Sequence, residues 1–274
     1  MPEPLNAYQL PERHAGILLD AYGVLVNRAG VLPGAGEYIQ HLNDRHIPYA
    51  ILTNAASRGS GELADFFQGL GLAIPGERII SSGALVAEHF RKHGLAGART
   101  HVIGTVASQQ FAIDGGAMIV TAAEAEVFLI TDQCGFPFLE TLDAALNRII
   151  QRHECAEPTH LICCNPDLIY PTTDSEFGFT AGSIAGLLER ALDERYGNAA
   201  PKFAYLGKPY APIFAAGRMR CGTDNLVMIG DTPSTDILGA NRFGIASALI
   251  GARDWTPDDK SAIPDYLLRD LLKR

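Results

Sequence analysis

The sequence lacks an excess of basic residues, a long hydrophobic run and a metal-binding or redox cysteine motif. Lysine and arginine number 22 against 31 aspartate and glutamate residues, which leaves a net charge of −9. This balance argues against a nucleic-acid-binding protein, which would normally carry a basic face. The best apolar stretches, such as residues 245–252, are far shorter than the roughly 20 residues that a membrane-spanning helix needs.

The sequence also lacks the marks of an exported or disulfide-bonded protein. The first ten residues contain neither a basic cluster nor an apolar run, so no secretory signal is expected. The five cysteines include the adjacent pair Cys163 and Cys164 but no Cys-x-x-Cys spacing. Adjacent cysteines rarely form a disulfide, and no residues have the spacing of a zinc site. We therefore expect a reduced, cytoplasmic protein without a nucleic-acid or membrane partner.

The 274 residues, of which 47% are hydrophobic, alternate between short apolar runs and amphipathic stretches. Runs at 15–20, 47–53, 226–230 and 245–250 are typical of buried strands, whereas residues 34–45, 62–70 and 181–196 have helical spacing. This alternation predicts an α/β fold with parallel strands joined by right-handed helical crossovers. Residues 265–274 have leucines at helical spacing and predict a terminal helix that packs on the core.

Polar residues follow several of these apolar runs, where the carboxyl ends of parallel strands would meet. They are Asp20, Thr53 with Asn54, Lys208 and Asp231. Two carboxylates can hold a Mg²⁺ ion, while a lysine and a hydroxyl can neutralise the charge of a phosphoryl group. One carboxylate can also attack phosphorus and form an aspartyl-phosphate, and the turn at Gly23 can present backbone N–H groups to phosphate oxygens. The pattern predicts phosphoryl-transfer chemistry at one edge of a sheet.

Four segments, in order along the chain, resemble the four motifs of the haloacid dehalogenase (HAD) superfamily. They are residues 20–25 (Asp-Ala-Tyr-Gly-Val-Leu), 52–54 (Leu-Thr-Asn), 207–209 (Gly-Lys-Pro) and 230–237 (Gly-Asp-Thr-Pro-Ser-Thr-Asp-Ile). Residues 165–167 (Asn-Pro-Asp) and 180–183 (Thr-Ala-Gly-Ser) further resemble subfamily IIA, the phosphatases similar to N-acetylglucosamine and p-nitrophenyl phosphatase. The resemblance extends from residue 16 to residue 250, nearly the whole chain.

The resemblance implies a role for each matching residue. Asp20 would be the nucleophile and a Mg²⁺ ligand, and Lys208 would pair with it and with the phosphate. Thr53 would bind the phosphoryl group through its hydroxyl, with Asn54 and the turn at Gly23 beside it. The other implied contributors to the metal site are the Asp231 carboxylate, the backbone carbonyl of Tyr22, and Asp236. The implied activity is Mg²⁺-dependent hydrolysis of small phosphomonoesters, such as sugar or nucleotide phosphates.

The resemblance also implies a division into domains. The superfamily has a Rossmann-like core, and subfamily IIA carries a smaller α/β cap inserted between the second and third motifs. By this resemblance residues 95–180 form the cap, and residues 1–94 and 181–274 form the core. The cap would select the substrate, a small phosphorylated metabolite, and exclude water during the reaction. A homodimer formed through the cap is compatible with the resemblance.

One position departs from the family pattern. The second residue after the nucleophile is normally an aspartate that protonates the leaving group and then activates water, but here it is Tyr22. A phenol, which ionises only near pH ~10, can donate a proton at neutral pH but is a poor base. The change predicts slow turnover, an unusual leaving group, lost activity, or a tyrosine ring that stacks on the substrate. Two alternatives follow: a non-hydrolytic sensor that binds phosphorylated metabolites, and a phosphotransferase whose acceptor is not water.

Each candidate residue also has a purely structural interpretation. Asp20 and Asp231 could cap a turn or a helix, and Lys208 could be a solvated loop residue. Asp167 could serve only to brace the chain between cap and core. The eight histidines are scattered without metal-ligand spacing, and the glycines at 34 and 36 lack the third glycine of a dinucleotide-binding loop.

Overall fold

The chain folds as two units, each built around its own parallel sheet. The computed structural model describes residues 1–173, 175–251 and 262–273. The first unit contains residues 1–53, 60–81 and 208–274, and the second contains residues 54–59 and 82–207. Among the described residues, every helix is too short or too polar to cross a lipid bilayer.

The sheet of the first unit has seven strands, and every neighbouring pair is parallel. In spatial order they are β1 (Glu3–Pro4), β16 (Tyr266–Leu268), β15 (Ala246–Ile250), β14 (Leu226–Gly230), β2 (Gly16–Asp20), β5 (Tyr49–Thr53) and β6 (Ile79–Ser81). Without the short β1, this is the strand order 3-2-1-4-5-6 of Rossmann sheets. The order reverses between β2 and β14, which lie side by side.

Helices and one hairpin connect the strands of the first unit. They are α1 (Ala35–Asp44), α2 (Ser60–Gly69), α7 (Ala211–Cys221), α8 (Leu238–Phe243) and the hairpin of β3 (Val26–Asn27) with β4 (Gly30–Val31). The strands β2, β5 and β14 are almost entirely buried, as expected for a parallel sheet covered on both faces. Helix α7 approaches this sheet closely at Gly217, where a Cβ atom would lie only 2.9 Å from the Leu18 side chain.

The sheet of the second unit has five strands and is also entirely parallel. In spatial order they are β13 (Phe203–Tyr205), β10 (His160–Cys163), β9 (Val127–Ile130), β7 (Arg99–Ile103) and β8 (Met118–Ile119). Numbered along the chain, this is the order 2-1-3-4-5 of flavodoxin-like sheets, which reverses between β7 and β9. A separate antiparallel hairpin pairs β11 (Ile169–Pro171) with β12 (Phe177–Phe179).

In its described residues the second unit has the α-helices α3 (Leu85–His93), α4 (Gln109–Asp114), α5 (Phe138–Glu154) and α6 (Ala181–Tyr196). Helices α5 and α6 bury one apolar stripe each in a cluster with β9 and β10, which includes Ile149, Leu188 and Phe128. Helix α6 occupies the range that the sequence predicts, and its buried positions recur at helical spacing.

The α/β fold with parallel sheets is confirmed, but one predicted element differs. The predicted terminal helix at 265–274 is wrong, because Tyr266–Leu268 forms β16 and pairs with β15; residue 274 lies outside the described residues. Apart from the short segment 54–59, the two units are divided at 81/82 and 207/208, and the cap boundaries at 94/95 and 180/181 stay a prediction of the resemblance. Helices α3 and α6 and strand β13 belong to the second unit because α3 packs on α4, α6 packs under β9 and β10, and β13 pairs with β10.

Candidate active site

The reversal of strand order in the first unit brings two carboxylates to one edge. Asp20 is the last residue of β2, and Asp231 follows the last residue of β14. These strands are parallel neighbours, with Leu19 opposite Ile229, so both carboxylates stand at the same end of the sheet. In open α/β sheets, ligands bind beyond the carboxyl ends of the strands at such a reversal.

A third carboxylate, Asp236, joins this pair. One carboxylate oxygen from each of Asp20, Asp231 and Asp236 lies within 4.8 Å of the other two. Oxygen atoms at this separation suit a hard divalent cation, which takes carboxylate and water ligands in octahedral geometry. The structure therefore brings together three side chains that the sequence predicts for a metal site.

Lys208 bridges two of these carboxylates. Its Nζ atom lies 2.6 Å from Oδ1 of Asp20 and 2.7 Å from Oδ1 of Asp236, and the lysine is 2% exposed. Burial acts to lower the pKa of the Lys208 amine, but the two carboxylates outweigh this effect and raise the pKa above its ordinary value. The lysine is therefore a fixed positive charge beside Asp20, not a solvated loop residue.

Both carboxylate oxygens of Asp236 accept hydrogen bonds. It is fully buried, and while Oδ1 faces Lys208, its Oδ2 accepts the backbone N–H of Thr232 at 3.1 Å. A Cβ atom at Gly230 would lie 2.2 Å from Cβ of Asp236, so only glycine fits at the end of β14. Because both oxygens are bonded, Asp236 mainly fixes Lys208 and the turn that carries Asp231.

Asp231 lies against the turn that follows β2. Its Oδ1 accepts the hydroxyl of Thr232 at 3.0 Å. A Cβ atom at Gly23 would lie 1.8 Å from Oδ2 of Asp231, so a larger residue would collide with this carboxylate. Gly23 also has a φ of +89°, a conformation that favours glycine. The peptide between Tyr22 and Gly23 therefore lies beside the carboxylate, where the sequence places a backbone ligand. The Tyr22 side chain itself is 46% exposed.

The two oxygens of Asp20 have different surroundings. Oδ1 accepts the backbone N–H of Ala21 at 2.6 Å and faces Lys208. Oδ2 accepts no hydrogen bond from any residue that the structure describes. Burial is the main cause that raises the pKa of Asp20, to about 8; Lys208 opposes it, and Asp236 and Asp231 add to it. Burial, aided by Asp236, raises the pKa of Asp231 as well.

Thr53 and Asn54 occupy different surroundings. Thr53 ends β5 at the same sheet edge, one residue beyond the Leu52 that pairs with Asp20. Asn54 belongs to the second unit, where its Nδ2 donates to Oδ1 of Asp167 at 2.9 Å and its carbonyl accepts the Ser82 hydroxyl at 2.8 Å. The side-chain amide of Asn54 thus donates to Asp167 within the second unit, and the predicted role of Asn54 at the phosphate stays a prediction.

Two contributors to the carboxylate cluster were not identified from the sequence. Thr232 supports both Asp231 and Asp236, and Gly230 makes room for the latter. The signal for both was the spacing Gly-Asp-Thr-x-x-x-Asp, in which the acidic residues alone were given roles. Asp236 folds back onto the end of β14. Thr232 supplies the backbone N–H that its carboxylate accepts, and Gly230 has no side chain to collide with it.

Comparison with known proteins places this geometry in a family. Residues 17–117 match the haloacid dehalogenase-like hydrolases, and residues 205–273 match a second group described as HAD-hydrolase-like. Over 236 residues the chain is 28% identical to dihydroxyacetone phosphatase of Corynebacterium glutamicum, covering 85% of this chain and 79% of that protein. It is 24% identical to the ribonucleotide monophosphatase NagD of Escherichia coli, covering 90% and 92%.

Solved structures agree in fold. A protein from Cytophaga hutchinsonii, described as a possible sugar phosphatase of the HAD superfamily, matches with a TM-score of 0.81 and 26% identity over 100% of both chains. Glycerol phosphate phosphatase of Mycobacterium tuberculosis, solved in complex with calcium, matches with a TM-score of 0.78 and 22% identity over 96% of this chain and 75% of that one.

The two family matches contain all four predicted motifs, and the named relatives are phosphatases of sugar or nucleotide phosphates. The chain therefore belongs to the haloacid dehalogenase superfamily, among the members similar to NagD and the p-nitrophenyl phosphatases.

Proposed function

We propose that the protein hydrolyses phosphomonoesters of small metabolites through an aspartyl-phosphate on Asp20. The observation that carries this proposal is the contact of Lys208 with Asp20, at a strand end where three carboxylates converge. A buried lysine next to a carboxylate with one unbonded oxygen is an arrangement suited to a nucleophile that must approach a dianionic phosphoryl group.

In this proposal each residue has one task in the first step. Asp20 attacks phosphorus through Oδ2, since Oδ1 is held by Lys208 and by the backbone of Ala21. The P–O bond to the ester oxygen breaks as the new O–P bond forms, and the leaving oxygen takes a proton from solvent water and departs as an alcohol, which leaves the Tyr22 phenol neutral. Lys208 and the Thr53 hydroxyl would bind the phosphoryl oxygens as negative charge develops on them.

The residues of the cluster fit a divalent cation, which we propose to be Mg²⁺. Asp20, Asp231 and the backbone carbonyl of Tyr22 would hold it, while Asp236 keeps Lys208 in place. When bound, such an ion neutralises phosphoryl charge and orients the ester. All the side chains in the set offer oxygen and none offers sulfur or imidazole, which favours Mg²⁺ over a softer transition metal.

The second step, attack of water on the aspartyl-phosphate, is where Tyr22 matters. Water has to lose a proton as it attacks, and a neutral phenol cannot accept one. We propose that hydrolysis of the intermediate limits the overall rate, because general base help is worth about 10²–10⁴-fold. Transfer of the phosphoryl group to an acceptor other than water is the second candidate function, and the same phenol favours it.

The substrates of the relatives suggest the class to test. One is named for dihydroxyacetone phosphate and another for ribonucleoside monophosphates, both small hydroxylated phosphate esters. We propose that the second unit is the cap of the family and that it selects among such esters. The acidic net charge favours a metabolite over a nucleic acid as partner, the cysteine pattern favours the cytoplasm, and a homodimer stays a prediction of the resemblance.

Phosphate release from dihydroxyacetone phosphate, nucleoside monophosphates and p-nitrophenyl phosphate, with and without Mg²⁺, tests the proposal. Asp20→Asn should lower the rate on the order of 10⁴-fold or more, because it removes the nucleophile. Asp65→Asn, a change of the same type at an exposed position on α2, should keep the wild-type rate. Equal rates for wild type and Asp20→Asn would remove Asp20 from the mechanism.

A further inference from the structure

Two of the eight histidines lie four residues apart on helix α3, although no metal-ligand spacing was expected among them. They are His89 and His93, at the two ends of the segment His-Phe-Arg-Lys-His. Residues four apart lie one turn apart on the same face of an α-helix. In zinc-binding helices with the spacing His-x-x-x-His, two histidines reach one ion in this way. Helix α3 is therefore a candidate metal site within the second unit.

The two imidazole rings of this pair are in direct contact. Their centroids are 4.3 Å apart, and their planes are inclined by 33°. An ion that is held by two imidazoles lies about 2.0–2.1 Å from one nitrogen of each ring, so the rings must come close together. Because the helix backbone fixes the two Cα atoms, only side-chain torsions have to adjust when an ion binds.

The ring nitrogens of the pair are not used elsewhere in the fold. Among the residues that the structure describes, no group forms a hydrogen bond with the imidazole of His89 or His93. The His14 ring differs, because its two nitrogens contact Asn225 and Tyr266 at 3.0 and 3.1 Å. His93 is exposed and His89 is half-buried, so an ion can reach the pair from solvent.

A third imidazole lies near the pair, and the charges keep His89 neutral. Burial lowers the pKa of His89 to about 4, and the nearby His93, His160 and Lys92 lower it further. Burial, followed by the charge of His93, also lowers the pKa of His160, which begins β10. A metal ion binds the deprotonated nitrogen of a histidine, so no proton has to leave His89 at neutral pH.

The position of the pair along α3 also favours a cation. His93 is the last residue of the helix, where unpaired backbone carbonyls carry the negative end of the helix dipole. This field opposes the repulsion that Lys92 would exert on a bound ion. The helix end adds to the attraction of the two imidazoles and does not form a site without them.

The ligand set indicates which ions the pair can take. Among the described residues, the carboxylates of the first unit are the one group that brings three ligand atoms within 4.8 Å of one another, so His160 does not complete a set of three here. The pair would supply two nitrogen ligands, and water would fill the other positions. Imidazole suits Zn²⁺, Cu²⁺ and Ni²⁺, whereas Mg²⁺ prefers oxygen ligands.

We propose that His89 and His93 together bind one divalent transition-metal ion, such as Zn²⁺, on the surface of the second unit. Once one nitrogen holds the ion, the helix keeps the other at a high effective concentration, so the pair binds more tightly than either histidine alone. This site is separate from the carboxylate cluster of the first unit, and it does not depend on the proposed phosphatase chemistry.

Binding of Zn²⁺ to the full-length protein tests the proposal. The titration is followed by calorimetry in excess Mg²⁺, which competes with Zn²⁺ for the carboxylate cluster but not for imidazole. We expect wild type to bind one Zn²⁺ that Mg²⁺ does not displace, with a Kd of about 100 µM or tighter. His93→Gln should weaken this binding about ten- to hundredfold. His46→Gln, which replaces an exposed histidine outside α3, should bind as wild type does.

Proton–nitrogen NMR spectra of the histidine side chains identify the ligands without any assay of activity. Zn²⁺ should shift the ring nitrogens of His89 and His93 and leave those of His46 unchanged. His89→Gln supplies a second variant with the same expected loss of affinity, and melting curves of the metal-free proteins check that each variant folds.

Two results would overturn the proposal: displacement of all bound Zn²⁺ by Mg²⁺, or equal Zn²⁺ affinity of wild type and His93→Gln. Because His93 is exposed, its replacement should leave folding intact, and equal affinity would then exclude it as a ligand. The titration contains no phosphate ester, so a protein that binds Zn²⁺ here but releases no phosphate would refute the proposed function and leave this site standing.

Discussion

The two sheets of this protein solve the same topological problem with different side chains. Both are parallel, and each has one pair of neighbouring strands where the chain order reverses: β2 with β14, and β7 with β9. At the first reversal three carboxylates converge, and two of them contact a buried lysine. At the second, Asp132 accepts backbone N–H groups of its own loop, and residues 104–110 and 131–137 contain no basic residue.

The comparison separates what topology contributes from what side chains contribute. Strand order decides where a crevice forms, and this holds for both sheets irrespective of sequence. The charges placed there decide the chemistry: a cluster of oxygen ligands and a lysine suits phosphoryl transfer, whereas a single carboxylate with no lysine beside it lacks the groups for that reaction. Changing those side chains should therefore alter one edge without altering the other.

Among the changes that keep Asp20, the largest effect should come from adding a carboxylate to the first edge. Tyr22→Asp supplies the base that the second step lacks, and the half-exposed tyrosine packs too little for its loss to harm folding. We expect steady-state turnover of p-nitrophenyl phosphate to rise about 10²–10⁴-fold. Rapid mixing should show an initial burst of nitrophenol in wild type, which disappears in the variant. Tyr22→Phe, which adds no base, should keep the wild-type burst; unchanged turnover in Tyr22→Asp would show that water is activated elsewhere.

A smaller effect should follow from filling the space beside Asp231. Gly23→Ala places a Cβ atom 1.8 Å from Oδ2 of that residue, so the carboxylate must move. Gly30→Ala is the matched control, since Gly30 also has positive φ, of +119°, but nothing lies within 4 Å of its Cβ position. A displacement near 1 Å at a catalytic group can cost about 10²-fold in rate, so kcat/KM should fall by that order in Gly23→Ala.

Both alanine variants adopt an unfavourable positive-φ conformation that costs about 1–2 kcal/mol of folding stability, so both melting temperatures should fall, and that of Gly23→Ala should fall further because of its contact with Asp231. The difference between them in activity and in metal affinity then measures the contact with Asp231 alone. Equal kcat/KM for the two variants would mean that the carboxylate tolerates displacement, and the distinction drawn between the two sheet edges would lose its geometric basis.

The elements explain which of these features the sequence could predict. Asp20, Lys208 and Asp231 were identified because each follows an apolar run. The end of such a run, where a buried strand ends, can be recognised from the local sequence pattern alone. Asp132 also follows such a run, but its place at the reversal of the second sheet depends on strand order, which is set by pairing between distant segments. The local sequence of residues 127–135 does not show that β9 pairs with β7 and not with β8.

The same distinction accounts for the errors. Leu267, Leu268, Leu271 and Leu272 have spacing that a helix would use, but Leu267 pairs with Leu249 and Pro4, and these partners outweigh local propensity. Helix α6 was predicted correctly as a helix, yet a helical pattern does not show which sheet covers its apolar stripe. The division into units follows from that choice, so a helical pattern alone cannot locate it.

The smallest predicted effect concerns the pH dependence of stability in the metal-free protein. In the folded chain, burial raises the pKa of Asp20 to about 8, above the ~3.9 of an unfolded aspartate. Lys208 opposes this rise, and the neighbouring carboxylates add to it. A proton that the folded state holds more tightly contributes stability that is fully present below the unfolded pKa. That contribution is lost as the pH rises through the folded pKa. The free energy of unfolding should therefore fall between about pH 4 and pH 8, by at most about 1.4 kcal/mol per pH unit from this group.

Denaturant unfolding of wild type and Asp20→Asn across this range, in the presence of a chelator, isolates the effect. The asparagine stays neutral, so the stability difference between the two proteins should change with pH in favour of the variant as the solution becomes more alkaline. Added Mg²⁺ should reverse the trend for wild type, because the ion stabilises the ionised carboxylate and competes with the proton. Parallel pH profiles for the two proteins would mean that Lys208 alone satisfies the charge of Asp20, and the crowding of carboxylates that distinguishes the first edge from the second would then have no energetic consequence.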